Sequence, residues 1–147
     1  MPSVESEVSR AELIHDPRTL HDDPLLDGLL ALCMLHQKPA SAAMLTTGLP
    51  LPKQRLSVEL LSRAAARAGL QGRVLQRKLE QIPTIAMPAL LLLKEGRSAV
   101  LLGWVGDDQA RLLLSESDGG EVTVSRELLA DDYSGKVFFA QPQHKFD

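Results

Sequence analysis

Asp23-Pro24-Leu25-Leu26-Asp27-Gly28-Leu29-Leu30-Ala31-Leu32-Cys33-Met34-Leu35 (residues 23–35) decides how the chain is organised. A carboxylate at Asp23 can accept the free N–H groups of a first helical turn. The proline after it already has a helical φ and no N–H left to satisfy, so a helix begins here. Leu25, Leu26, Leu29, Leu30, Leu32, Cys33, Met34 and Leu35 then occupy nearly every face of the following turns. A helix apolar all round is expected in the middle of a domain.

Toward the C-terminus the helical signals continue and then stop. Ser41 is placed to cap a short helix over Ala42–Thr47 that Gly48 ends, and Leu49-Pro50-Leu51-Pro52 forces an extended link. Ser57 is placed to cap a helix over Val58–Ala68, with Leu60, Leu61, Ala64, Ala65 and Ala68 inward, Arg63 and Arg67 outward, and Gly69 as the stop. Beyond Gly69 the period changes. Gly72–Leu75 is predicted as a short strand, Pro83–Pro88 as an irregular connection, and Ala89–Leu93 as a strand closed by the turn Lys94-Glu95-Gly96-Arg97. Ser98–Trp104 returns as a hairpin, and Gly106-Asp107-Asp108 and Ser117-Asp118-Gly119-Gly120 punctuate strands at Ala110–Leu114 and Glu121–Val124. Ser125 is placed to cap a short helix through Leu129, and Lys136–Ala140 is a last strand. Helices first and antiparallel strands second make an α+β layout. The expected organisation is a flexible acidic N-terminal segment over 1–22, a domain over 23–140 and a tail over 141–147.

The composition narrows the function. With 147 residues, 44% of them apolar, the chain is long enough for one core and short for two. A single cysteine, Cys33, excludes an intrachain disulfide. The apolar runs Leu25–Leu35 and Ala89–Leu93 are far below the ~20 residues that cross a bilayer. A net charge of −3 argues against a nucleic-acid partner, because phosphate contacts need a basic surface. Charge is nevertheless unevenly placed: residues 53–80 hold seven bases and two acids, whereas residues 105–147 hold nine acids and four bases. Arg55, Arg63, Arg67, Arg73, Arg77 and Lys78 therefore make either a solvated helix face or a basic face that attracts an acidic partner.

No pattern for a metal or nucleotide is present. His15, His21, His36 and His144 have no ligand spacing, and neither a Walker-type nor a dinucleotide glycine pattern occurs, so no metal and no cofactor is expected in this domain. Cys33 has one histidine nearby, His36, three residues on, but sits among leucines. The expectation is a buried structural thiol, with a cysteine hydrolase using Cys33 and His36 as the rival. Trp104, Tyr133, Phe138, Phe139 and Phe146 are the only aromatic residues, each a core residue or an anchor for a partner.

Asp23-Pro24-Leu25-Leu26-Asp27-Gly28-Leu29, Pro39-Ala40-Ser41, Gly48-Leu49-Pro50-Leu51, Arg63-Ala64-Ala65-Ala66-Arg67-Ala68-Gly69-Leu70, Pro88-Ala89-Leu90-Leu91-Leu92-Leu93 and Phe146-Asp147 together resemble one family. It is the C39-peptidase-like N-terminal domain of type I secretion ABC transporters, and the likeness is strongest to the branch that exports large RTX adhesins. The resemblance covers about residues 20–147 and implies a papain-like fold, helices packed on an antiparallel sheet. It also implies a fragment that ends about where the transmembrane part of such an exporter begins.

Active members of that family use a cysteine nucleophile, a histidine base, an aspartate that orients it and a glutamine at the oxyanion. The resemblance places the nucleophile on Gly28, the glutamine on Asp22, the histidine on Ser98 and the aspartate on Ser115 or Glu116. No histidine occurs between His36 and His144, so the implied domain lacks both nucleophile and base. The function so implied is non-catalytic docking of an unfolded secretion substrate, an RTX-type adhesin, on the cytoplasmic side of the bacterial inner membrane. The transporter's own transmembrane and nucleotide-binding domains would then move it out with the periplasmic adaptor and outer-membrane channel. The expected docking residues are Asp22, Gly28, Ser98 and Glu116 around the former cleft, with Arg63, Arg67 and Trp104 as further contacts. The alternatives are a module that braces the transporter's membrane and ATPase domains, and an active cysteine peptidase.

Overall fold

The structure, a computed structural model, describes residues 23–51, 55–114 and 120–143. Of the expected site residues, Asp22, Ser115 and Glu116 lie outside the described residues, as do His15, His21, His144 and the closing Phe146-Asp147.

Helix α1 spans Pro24–Leu35. Asp23 starts it as expected: one carboxylate oxygen accepts from the Leu26 N–H at 3.3 Å, and the other accepts from the Leu56 N–H at 2.8 Å. A single side chain therefore caps the helix and ties down a segment 33 residues later. The expectation of burial all round does not hold. Leu25, Leu26, Leu29, Leu32 and Cys33 are buried, but Met34 is 69% and Leu35 41% exposed, so the last turn of α1 buries one face and presents the other to solvent.

Helix α2 covers Ala42–Thr46, with the Ser41 hydroxyl accepting from the Met44 N–H at 3.1 Å. Helix α3 covers Leu61–Arg67 and is entered through a 3-10 turn at Val58–Leu60. The expected cap by Ser57 is absent, since its side chain takes no capping hydrogen bond, and the tighter turn takes the place of the first helical turn. Gly69 ends the helix at φ +87°, a conformation that a side chain would strain.

Six antiparallel strands follow: β1 (Leu70–Gln76), β2 (Ala89–Leu93), β3 (Ser98–Val105), β4 (Gln109–Leu114), β5 (Glu121–Ser125) and, after helix α4 (Arg126–Asp132), β6 (Tyr133–Pro142). Their order in the sheet is β1-β6-β2-β3-β4-β5. The meander β2 to β5 is the expected one, and β6 returns to lie between β1 and β2. Strand β1 is longer than the expected Gly72–Leu75, and β6 is longer than Lys136–Ala140. Gln141 and Pro142 thus belong to the sheet, and the Gln143 N–H donates to the Gly69 carbonyl at 2.9 Å. The irregular connection from β1 to β2 contains 3-10 turns at Leu79–Gln81 and Thr84–Ala86.

The sheet is covered on both faces, which is why Ala89–Leu93 reads as an unbroken apolar run. Leu90, Leu92, Val100 and Phe138 pack with the residues of α1 and α3. On the other side Leu91, Leu93, Ala99, Leu101 and Val137 pack under Leu79, Ile82, Leu129 and Tyr133. At Gly72 the strands β1 and β6 approach so closely that a Cβ would stand 2.5 Å from the Phe139 carbonyl oxygen and 2.7 Å from the Phe138 ring. Among the described residues no helix is long and apolar enough to cross a membrane.

Candidate functional site

The first two turns of α1 carry Asp27 and Gly28 onto the start of β3, where Ser98 is completely buried. The Ser98 hydroxyl donates to the Pro24 carbonyl at 2.7 Å, which clips the strand to the helix. A Cβ built on Gly28 would stand 2.4 Å from the Ser98 oxygen, 2.6 Å from Leu90 Cδ1 and 3.3 Å from Ser98 Cβ. Such approaches lie inside van der Waals contact, so the helix sits this close to the sheet because residue 28 has no side chain. The structure brings together the two positions that the resemblance implies for nucleophile and base. Both are buried, so neither offers a side chain to a docked peptide in this arrangement.

Beside them, Asp23 and Asp27 lie one turn apart at the helix start. Burial, and after it the negative charge of Asp23, push the Asp27 carboxyl up to about 7. One of its oxygens is buried with no hydrogen-bond partner among the described residues. The carboxyl is therefore held near neutrality. Asp27 is not among the expected site residues, although the i, i+4 spacing of two acids in one helix already places them on one face.

Cys33 is fully buried in the core cluster beneath α1, and burial pushes its thiol up to about 11. His36 is shifted the other way, its imidazolium disfavoured by the same desolvation, and its Nε2 is buried without a partner among the described residues. A thiol nucleophile needs a stabilised thiolate in reach of substrate. Cys33 has neither the exposure nor the pKa for that.

The remaining expected contacts lie apart from this pair. Arg63 and Arg67 are exposed on α3, where the Arg67 guanidinium donates to the Thr47 carbonyl. Trp104 is half-buried on the opposite face of the sheet. Its indole N–H donates to the Ile82 carbonyl at 3.1 Å, and the Arg126 guanidinium lies 4.2 Å from its ring centroid. A groove of about 870 Å³ on that side is lined by Arg77, Lys78, Asp108, Arg126, Glu127 and Tyr133 among others, and shares no lining residue with Gly28 and Ser98. Tyr133 closes one wall: its hydroxyl donates to the Arg77 carbonyl at 2.7 Å, and burial pushes that hydroxyl up to about 12. Charges of both signs line this groove, and no three His, Cys, Asp or Glu residues gather into a metal site among the described residues.

Neither a protein-family model nor a curated protein matches the sequence. Solved structures do. The chain is similar to the N-terminal peptidase C39-like domain of the toxin secretion ATP-binding protein from Vibrio parahaemolyticus, at 34% identity over 82% of this chain and 98% of that one, with a TM-score of 0.79. The peptidase domain of ComA, a bifunctional ABC transporter of a Streptococcus quorum-sensing pathway, shares the fold at 16% identity over 83% of this chain and 93% of that one, with a TM-score of 0.68. A double glycine motif protease from an AMS/PCAT transporter, solved with its leader peptide, shares it at 16% identity over 79% of this chain and 84% of that one, with a TM-score of 0.64.

Proposed function

Since the chain belongs to the peptidase C39-like domains of secretion ABC transporters, we propose that it is a non-catalytic member that docks the secretion substrate without cutting it. The observation that carries this reading is the close packing at Gly28, where the resemblance puts the nucleophile. At Gly28 there is no thiol, and no room for one between Ser98 and Leu90. Ser98, where the resemblance puts the base, has no imidazole and spends its hydroxyl on Pro24. The one thiol of the chain, Cys33, is buried in the core with its pKa raised. A triad that has lost nucleophile and base together has lost the reaction, because its members act as a unit.

In this reading the substrate is an unfolded RTX-type adhesin, held on the cytoplasmic side of the inner membrane until the transporter's membrane and ATPase domains move it through the adaptor and outer channel. The exposed bases Arg63 and Arg67 suit the acidic, calcium-free state of such repeats. Of the positions that the resemblance implies for the former cleft, Gly28 and Ser98 act through packing rather than direct contact, and Asp22 and Glu116 lie outside the described residues.

Two measurements test it. A double-glycine leader peptide incubated with the chain remains uncut, whereas cleavage would overturn the non-catalytic assignment. In an NMR titration with a C-terminal adhesin fragment carrying the secretion signal, shifts confined to one face appear without calcium and vanish when calcium folds the fragment. No shifts in either state would overturn docking in favour of a bracing role.

A further inference from the structure

The docking reading leaves open where an unfolded chain is held, and the sheet has an edge suited to it. Among the described residues strand β1 is the first in the sheet order and pairs with β6 alone. The Arg77 N–H donates to the Gly135 carbonyl at 3.0 Å and the Gln143 N–H to the Gly69 carbonyl at 2.9 Å, one beyond each end of the ladder. In an antiparallel pair bonded residues alternate with unbonded ones, so Gln71, Arg73 and Leu75 turn their backbone groups to β6. Gly72, Val74 and Gln76 then turn theirs outward. The Ser62 hydroxyl takes the Gly72 carbonyl at 2.9 Å, and the Arg77 guanidinium takes the Gln76 carbonyl at 2.7 Å. That leaves the N–H and C=O of Val74 and the N–H groups of Gly72 and Gln76 directed away from the sheet.

An unpaired edge is a template for another strand, and what joins it depends on the side chains around it. Over the β1–β6 pair next to this edge lies a groove of about 620 Å³ whose walls include Arg73 and Leu75 of β1, Phe139 of β6 and Ile85, with Ile85 93% exposed. The surroundings are basic: Arg73 is exposed on the strand, Arg77 and Lys78 are exposed just beyond its end, and the whole stretch 53–80 holds seven bases against two acids. The opposite edge, β5, opens with Glu121, whose carboxylate is already paired to Arg111 at 2.8 Å, in the acidic half of the chain. A second copy of β1 would bring the basic residues of both edges together, which disfavours self-pairing.

We propose that the free edge of β1 receives an extended acidic segment of the exported chain as an added strand. The inference rests on the docking reading and gives it a place.

The test is backbone amide exchange on the labelled 147-residue chain, followed by NMR with a synthetic peptide of alternating Asp and Val and with its Lys-for-Asp counterpart. The acidic peptide is expected to slow exchange at Val74 and Gln76 by about tenfold or more while Arg73 and Leu75, already bonded to β6, change little. The Lys peptide leaves all of them unchanged. Val74→Pro removes an N–H that the sheet does not use and abolishes this protection. Arg73→Glu, on an exposed side chain, weakens it severalfold even if the proline variant fails to fold. Protection at Val74 that is present without peptide and grows with protein concentration would assign the edge to a second copy and overturn the proposal. So would binding of the acidic peptide, or of the calcium-free adhesin fragment, with Val74 still exchanging freely, an outcome that leaves docking intact. Failure of both ligands to bind would overturn the edge and the docking reading together.

Discussion

Gly28→Ala adds one methyl group at the point where α1 touches β3. In an open helix this change would stabilise by about 1 kcal/mol, the difference in helix propensity between glycine and alanine. Here the new carbon would meet Ser98 Oγ at 2.4 Å and Leu90 Cδ1 at 2.6 Å, and both residues are fully buried. Overpacking of that kind costs about 1–3 kcal/mol. If Ser98 rotates away, its hydroxyl gives up the 2.7 Å bond to Pro24, and an unsatisfied buried hydroxyl adds about 1–3 kcal/mol. The propensity gain is outweighed. The expected net loss is about 2 kcal/mol, read as a lowering of Tm by about 5–10 °C and of the urea midpoint at unchanged slope. Leu90→Ala alone destabilises by about 2–5 kcal/mol through its cavity, but the double variant should lose less than the sum by about 1 kcal/mol, because the methyl enters that space. A Gly28→Ala chain as stable as the parent, or more so, would refute the reasoning. It would mean that there is room for a side chain at Gly28, where the resemblance puts the nucleophile.

Asp27→Asn should remove a loss of stability that the parent chain suffers between about pH 4 and pH 7. The raised folded pKa of Asp27 means that its contribution is fully present below about pH 4 and is lost as pH rises through about 7, where burial and then Asp23 oppose ionisation. Three pKa units set a ceiling of about 4 kcal/mol, cut to about 1 by solvent at the exposed part of the carboxyl. Urea unfolding at pH 5 and pH 8 should therefore show the variant gaining on the parent at the higher pH, and equal differences at both would count against this account. Cys33 should react with a disulfide reagent only at the rate of unfolding, since a thiol pushed up to about 11 in the core forms almost no accessible thiolate; rapid labelling of the native chain would restore the cysteine-hydrolase reading. Reversing Arg63 and Arg67 to Glu should weaken binding of the calcium-free fragment by about tenfold at low salt and reduce its salt dependence, as calorimetry at two ionic strengths would report.

The parts of the fold legible in the sequence are those written in neighbouring residues. Asp23-Pro24 announces α1, Ser41 and Ser125 sit where they cap, and the apolar run Ala89–Leu93 marks a strand with both faces covered. What was not legible depends on distant partners. Nothing near Tyr133 or Pro142 shows that β6 will pair with β1 from Leu70 to Gln76 and with β2 as well, so local residues mark only the middle of the strand. Ser57 has a capping side chain at a capping position, but a 3-10 turn there leaves it unused. The exposed end of α1 at Met34 and Leu35 follows from how much of the sheet the helix can reach, which composition does not record. At the site, the pairing of Gly28 with Ser98 came from the resemblance, and their near-contact is a tertiary fact. The free β1 edge was invisible for the same reason as β6, since an edge exists only once the order of strands is known.

The place of β6 also sets a schedule for the molecule. On one side of it stand β1 and the helices packed on that strand; on the other stand the four strands β2 to β5, and no described strand but β6 joins them. A chain emerging from the ribosome has made both parts before it makes the strand that unites them. Until Tyr133–Pro142 is out, β1 has two bare edges instead of one and Leu90 and Leu91 lack the strand that flanks them. A chain interrupted just short of Tyr133 would leave β1 and β2 under the same helices with a gap between them, so the sheet is finished from its middle by its last-made piece.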